Sequence, residues 1–186
     1  MIPTMVILGV VVLLVLIFIG MYNGLIRGRN EVKNAWAQID VQLKRRHDLI
    51  PNLIETTRGY MTHERETFDS IAKARSAAQS AVGSGVAAQA AAEGQLSGFL
   101  TRFFAVAENY PELKANQNFL ALQEELSSTE NKISFARQFY NDQVLSFNNK
   151  IQMFPSNLIA GMFNFAASPF FEIDDATERE VPKVSF

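Results

Sequence analysis

The sequence predicts an all-α protein: a single N-terminal transmembrane helix, then an elongated antiparallel bundle of three to four long helices, then a short C-terminal helical segment. Three observations predict it. Ile2 to Tyr22 carries no charged side chain and is dominated by Val, Leu and Ile. Beyond it, apolar residues recur at spacings of three and four, the period of one helix face. Gly, Pro and small residues interrupt that pattern at only a few places. A chain of 186 residues has room for one span plus a domain of roughly 160 residues, within the range of a single core.

The first element, residues 1–24, reads as the membrane anchor. At about 1.5 Å per residue the uncharged stretch covers roughly 31 Å, close to one hydrocarbon core. A cleaved secretory signal would show a basic start, a shorter apolar core and a small-x-small site. No Lys or Arg precedes this span, and Phe18-Ile19-Gly20-Met21-Tyr22 offers no such site. The anchor is therefore expected to stay, with the lipid bilayer as its partner. Arg27, Arg29 and Lys33 follow the span closely, which predicts an N-terminus outside and a helical domain in the cytoplasm; the expected location is the bacterial inner membrane. Gly20 and Gly24 mark either a flexible exit or a close helix approach.

Residues 25–173 read as the bundle domain. Val32, Trp36, Ile39 and Leu43 form one apolar stripe, continued by Ile50, Leu53 and Ile54. Pro51 predicts a kink, a break or a new helix start, because it lacks an N–H and clashes with the preceding turn. Met61, Phe68, Ile71 and Ala72 extend the pattern through Ala78. Ala81-Val82-Gly83-Ser84-Gly85 is the tip of a helical hairpin. Ala87 to Tyr110 is the next helix and Tyr110-Pro111 the next turn. From about Leu113 to Gln152 a heptad-like series (Phe119, Leu122, Leu126, Thr129, Ile133, Ala136, Tyr140, Val144, Phe147, Ile151) predicts a helix on the order of 60 Å long. Its partner is the stretch from Arg29 to Ala78.

Met153-Phe154-Pro155 ends that helix and opens a Phe-rich section, 153–173. Leu158, Ile159, Met162, Phe163, Phe165, Phe170 and Phe171 crowd together there, with Ile173 behind them, and exceed what one short helix hides alone. Such a section either packs back on the bundle or serves as an interface, with another subunit or with the membrane surface. Residues 174–186 form a charged, extended tail.

Charge is unevenly placed within a net −2. The basic residues from Arg27 to Arg58 read as a solvated helix face or as attraction to anionic headgroups. No aromatic stacking platform accompanies them, so no nucleic-acid partner is expected. With no cysteine, disulfides, thiolate metal sites and cysteine nucleophiles are excluded. His47 and His63 lack the Glu-x-x-His and HExxH spacings and read as polar helix-face residues. Gly83-Ser84-Gly85 has neither the spacing nor the Lys of a phosphate loop, and no serine sits in a GxSxG elbow. Asn148, Asn149 and Asn157 read as exposed polar residues able to bind a ligand, or equally as caps and turn formers. The expectation is no catalytic residue, no metal, no cofactor and no enzyme.

The residues also carry a resemblance. The apolar helix ending in Tyr22-Asn23 is followed by Trp36-Ala37-Gln38-Ile39-Asp40-Val41-Gln42-Leu43. Arg45-Arg46 and Asp48-Leu49-Ile50-Pro51-Asn52-Leu53 come next. Tyr140-Asn141, Phe147-Asn148, Phe154-Pro155 and a closing Pro182-Lys183-Val184-Ser185-Phe186 complete the set. Across nearly its whole length the chain thus resembles the LemA family. The resemblance implies a single-pass membrane protein with a helical bundle, an N-out topology and no established catalytic activity.

Two kinds of function fit these expectations. One is a homo-oligomeric scaffold or organiser at the membrane, assembled through the excess apolar surface of the Phe-rich section, because the long helices offer more face than a thin monomeric bundle buries. The other is a monomeric adaptor or sensor that holds a partner, such as a membrane protease or regulator, through helix-in-groove contacts.

Overall fold

The computed structural model describes residues 2–172, and of Ile2 the backbone alone. The expected charged tail, 174–186, and Ile173 lie outside the described residues. Among the described residues six helices follow in order: α1 (Ile2–Arg58), α2 (Arg65–Ser80), α3 (Val86–Ala107), α4 (Pro111–Lys114), α5 (Gln117–Gln152) and α6 (Ser156–Met162). No strand occurs among the described residues, so the all-α reading holds. The chain forms two compact units, one from residues 2–39 and 136–169, the other from 40–135 and 170–172.

The second unit is built from the last part of α1, then α2, α3, α4 and the first part of α5. Its core joins Ile50 and Leu53 of α1, Phe68 and Ile71 of α2, Leu96, Leu100 and Phe103 of α3, Leu113 of α4, and Phe119 and Leu126 of α5. The helices that supply more than one of these residues do so at spacings of three, four or seven, so one stripe of each faces inward. Pairs along the helices give their directions. Asp40 with Gln89 and Arg46 with Ser97 run α1 parallel to α3, whereas Arg46 with Glu130, and Tyr60 just after α1 with Asn116 just before α5, run it antiparallel to α5. Phe68 faces Phe103 across the α2–α3 hairpin.

The hairpin tip falls where expected, at 81–85. Gly83 and Gly85 adopt φ of 82° and 106°, backbone that L side chains rarely take, so the reversal depends on glycine at both. Ser84 closes the tip by donating its hydroxyl to the Ala81 carbonyl at 2.6 Å.

Three expectations are corrected. First, of the kink, break or new helix start expected at Pro51, the break and the new start are absent, since α1 continues to Arg58. The missing Pro51 N–H would have bonded the carbonyl four residues back, that of His47. Arg75 of α2 fills the gap, its Nε donating to the His47 oxygen at 2.7 Å. Second, the helix does end at Arg58, inside the stretch expected to run on to Ala78. The Thr57 carbonyl takes both the Tyr60 and Met61 N–H groups at 3.0 Å, and Met61, though outside any helix, is fully buried at the end of the core. Third, the last long helix starts at Gln117 rather than near Leu113. Asn116 caps it, its Oδ1 accepting from the N–H groups of Asn118 and Phe119 at 2.9 and 3.2 Å.

The first unit pairs the N-terminal part of α1 with the last part of α5, then adds α6 and the segment that follows. Gly28 is buried, and a Cβ there would lie 3.2 Å from Phe147 Cδ2, so the two helices come close at this point. Trp36 meets Tyr140 edge-on at 5.3 Å. A small cluster of Leu25, Ile159 and Ala160 seats α6 on α1, with Met21, Tyr22, Ile151 and Phe165 against it.

Candidate functional site

Residues 3–20 of α1 are exposed without exception, although nearly all are apolar. This helix is long and apolar enough to cross a membrane. A soluble domain would hide such a stretch in its core, since each fully buried Leu or Val contributes about 1.5–3 kcal/mol. Arg27, Arg29 and Lys33, the basic residues expected to flank it, all stand exposed in the turns after it. Arg29 also lies over the Phe165 ring, 5.3 Å from its centre.

The Phe-rich section divides between core and surface. Ile159 and Phe171 are buried, with 3% and 2% of their surface exposed. Phe165 is half-buried, whereas Leu158, Met162, Phe163 and Phe170 are exposed. Local backbone chemistry sets this division. Asn164 adopts φ 54°, and the Phe165 N–H reaches back to the Ala160 carbonyl at 2.9 Å while the Asn164 N–H points to Gly161 at 3.4 Å. These are the two bonds of a Schellman helix ending with Asn in the left-handed position, and they turn Phe165 inward onto Tyr22 and Phe147. Further on, Asn148 holds Ser168 at both ends. Its Nδ2 donates to the Ser168 carbonyl at 3.0 Å and its Oδ1 accepts the Ser168 N–H at 2.9 Å. The Tyr140 hydroxyl donates to the Pro169 carbonyl at 2.8 Å, and burial raises the Tyr140 pKa above the ordinary phenol value. Asn148 is therefore a buried clamp, not the exposed polar residue expected from sequence; Asn149 and Asn157 are exposed.

A second correction concerns charge. Arg46 and His47 read from sequence as part of a polar helix face, yet they are 1% and 4% exposed. Both meet Glu93 of α3, which is 2% exposed. Arg46 Nη2 bonds Glu93 Oε2, and His47 Nε2 lies 3.0 Å from Oε1. Arg46 Nη1 also reaches Ser97 Oγ at 2.6 Å and Glu130 Oε1 at 2.5 Å. Burial pushes the Glu93 carboxyl up, but His47 and Arg46 together outweigh it and hold the group below the ordinary carboxylate range. A hollow of about 430 Å³ beside His47 is lined by Asp40, Lys44, Asp48, Gln79 and Gln89 among others. Among the described residues no three His, Cys, Asp or Glu side chains converge as a metal-ligand set.

One apolar surface escapes the sequence reading. Phe135 and Phe139 of α5 are 72% and 44% exposed. Four residues apart, they share a face of the helix. They fall out of phase with the buried series Ile133, Tyr140, Val144, Phe147, and that mismatch is the available signal.

Two comparisons bear on this arrangement. A family model described as the LemA family matches residues 35–186. The protein LemA of Metamycoplasma hominis is 29% identical over 161 residues, covering 85% of this chain and 73% of that one.

Proposed function

The chain belongs to the LemA family, and from that premise we propose a non-catalytic membrane-anchored helical protein that assembles with copies of itself as a scaffold or organiser at the bacterial inner membrane. The observation that carries the anchor is the unbroken exposure of residues 3–20. Water cannot favour that surface, and a bilayer can. For orientation the support is Arg27, Arg29 and Lys33 after the span with no Lys or Arg before it. This favours an outside N-terminus and a cytoplasmic helical domain.

Self-assembly draws its support from Phe135 and Phe139, two large exposed aromatics on one helix face where lysine or glutamate would serve solubility. Aromatic anchors of this kind dominate the energetics of subunit contacts. The rival reading is a monomeric adaptor that offers the same face to a membrane-bound partner. Native mass spectrometry of the full-length protein from a mild detergent, beside Phe135→Ser/Phe139→Ser, separates them. A discrete oligomer that shrinks in the variant, with circular dichroism unchanged, supports the scaffold. A monomer in both excludes it and leaves the adaptor.

A further inference from the structure

From Met153 to Phe171 the sequence contains no Asp, Glu, Lys or Arg. Within this run Met153, Phe154, Leu158 and Met162 are 63%, 79%, 62% and 67% exposed. Leu158 and Met162 are four apart on α6 and share a face, while Ile159 and Ala160 turn toward Leu25 of α1. An uncharged, exposed apolar face is poorly suited to water.

Its position identifies what covers it. The Phe163 ring stands 4.8 Å from Tyr22 and 6.1 Å from Phe18. Phe18 and Tyr22 lie in the last turns of the apolar segment of α1. The inference rests on that segment being the anchor: if it crosses a bilayer, Phe18 and Tyr22 sit at the boundary it leaves by, and α6 sits beside them at the same depth. Arg27 follows Tyr22 by about 7.5 Å of helix rise, within reach of the headgroups. Lys150 Nζ lies 3.8 Å from the Cβ position of Gly28, adding a second exposed cation at that level.

We infer that α6, with Met153 and Phe154, is a wedge that enters the headgroup–acyl boundary of the leaflet from which α1 emerges. Leu158 and Met162 meet the upper acyl chains, and Arg27, Arg29 and Lys150 face anionic headgroups. Lipid is favoured over a second subunit because the face continues the surface of the anchor itself and needs no complementary patch on another copy.

The chain has no cysteine, so single nitroxide labels are unambiguous. Four full-length variants, Leu158→Cys, Met162→Cys, Val12→Cys and Val82→Cys, are labelled and placed in phosphatidylethanolamine–phosphatidylglycerol vesicles. Collision with oxygen and with a water-soluble nickel chelate is then compared. Labels at 158 and 162 are expected to lose chelate access and gain oxygen access relative to 82, less completely than the label at 12. Water-like access at 158 and 162 with lipid-like access at 12 overturns the wedge and leaves the anchor standing. Water-like access at 12 overturns both. Shielding from both reagents at 158 and 162, with spin–spin broadening between copies, overturns the wedge in favour of a subunit contact.

Discussion

Arg75 Nε donates at 2.7 Å to the main-chain oxygen of His47, the carbonyl that Pro51 leaves without its helical partner. A side chain from the neighbouring helix thus stands in for a backbone N–H, and α1 passes a proline without ending.

The first prediction follows from that substitution of donors. Arg75→Met is expected to destabilise the protein by about 1 kcal/mol, the usual net worth of such a bond. In a Pro51→Ala background, where the backbone regains the N–H that proline lacks, the same change should cost clearly less. Urea denaturation of the four proteins in a double-mutant cycle measures the coupling. Equal costs in both backgrounds would show that Arg75 does not serve the proline.

Removing one partner of a buried ion pair leaves the other charge stranded. Glu93→Gln is therefore expected to cost about 3 kcal/mol, since Arg46 loses its buried countercharge and is left with Ser97 and the part-exposed Glu130 as its side-chain partners. Replacing both charges, Arg46→Met with Glu93→Leu, should cost less than Glu93→Gln alone. Chemical denaturation midpoints of the three proteins check the order.

The acid limb of stability has a defined sign. The folded-state carboxyl of Glu93 is held below its ordinary value of 4.5. Its contribution is complete above the unfolded carboxylate value and is lost as pH falls through the lower folded value. Stability measured between about pH 7 and about pH 3 should therefore drop more steeply in the native protein than in Glu93→Gln. Parallel curves would remove Glu93 from the account.

Asn148→Ala removes both bonds to Ser168 and should free the segment before Pro169. The expected cost is on the order of 1–2 kcal/mol. Amide hydrogen exchange at Ser168 should accelerate, while exchange within α3 stays as it was. Unchanged protection at Ser168 would mean that Tyr140 and Phe165 hold the segment unaided.

Periodicity makes most of the helices legible. Val32, Ile39 and Leu43, and later Leu126, Ile133, Tyr140 and Val144, mark buried stripes that need no tertiary information to find. Met61 misleads for the same reason, because it keeps the helical phase while sitting in a turn. Arg46 occupies the place in the α1 stripe between Leu43 and Ile50, and Glu93 the place in α3 three before Leu96. Each looks like a surface charge in its own segment. Only the pairing of α1 with α3 makes them partners, and a single sequence does not carry that pairing. Pro51 is opaque in the same way, since its compensation comes from Arg75 on another helix. The division of the Phe-rich section depends on Asn164 taking the left-handed backbone, a choice that Asn permits but does not announce.

The shortness of α6 sets it apart from the other uncharged apolar stretch of the chain. The sequence carries two uncharged apolar runs, Ile2–Tyr22 and Met153–Phe171. The first is long enough to be threaded across. The second closes into a helix of 7 residues, about 10 Å, stopped at one end by Pro155 and at the other by Asn164. That is roughly a third of a hydrocarbon core. By length alone only the first run forms a helix that could cross a bilayer, because the turns at the two ends of α6 keep the second too short.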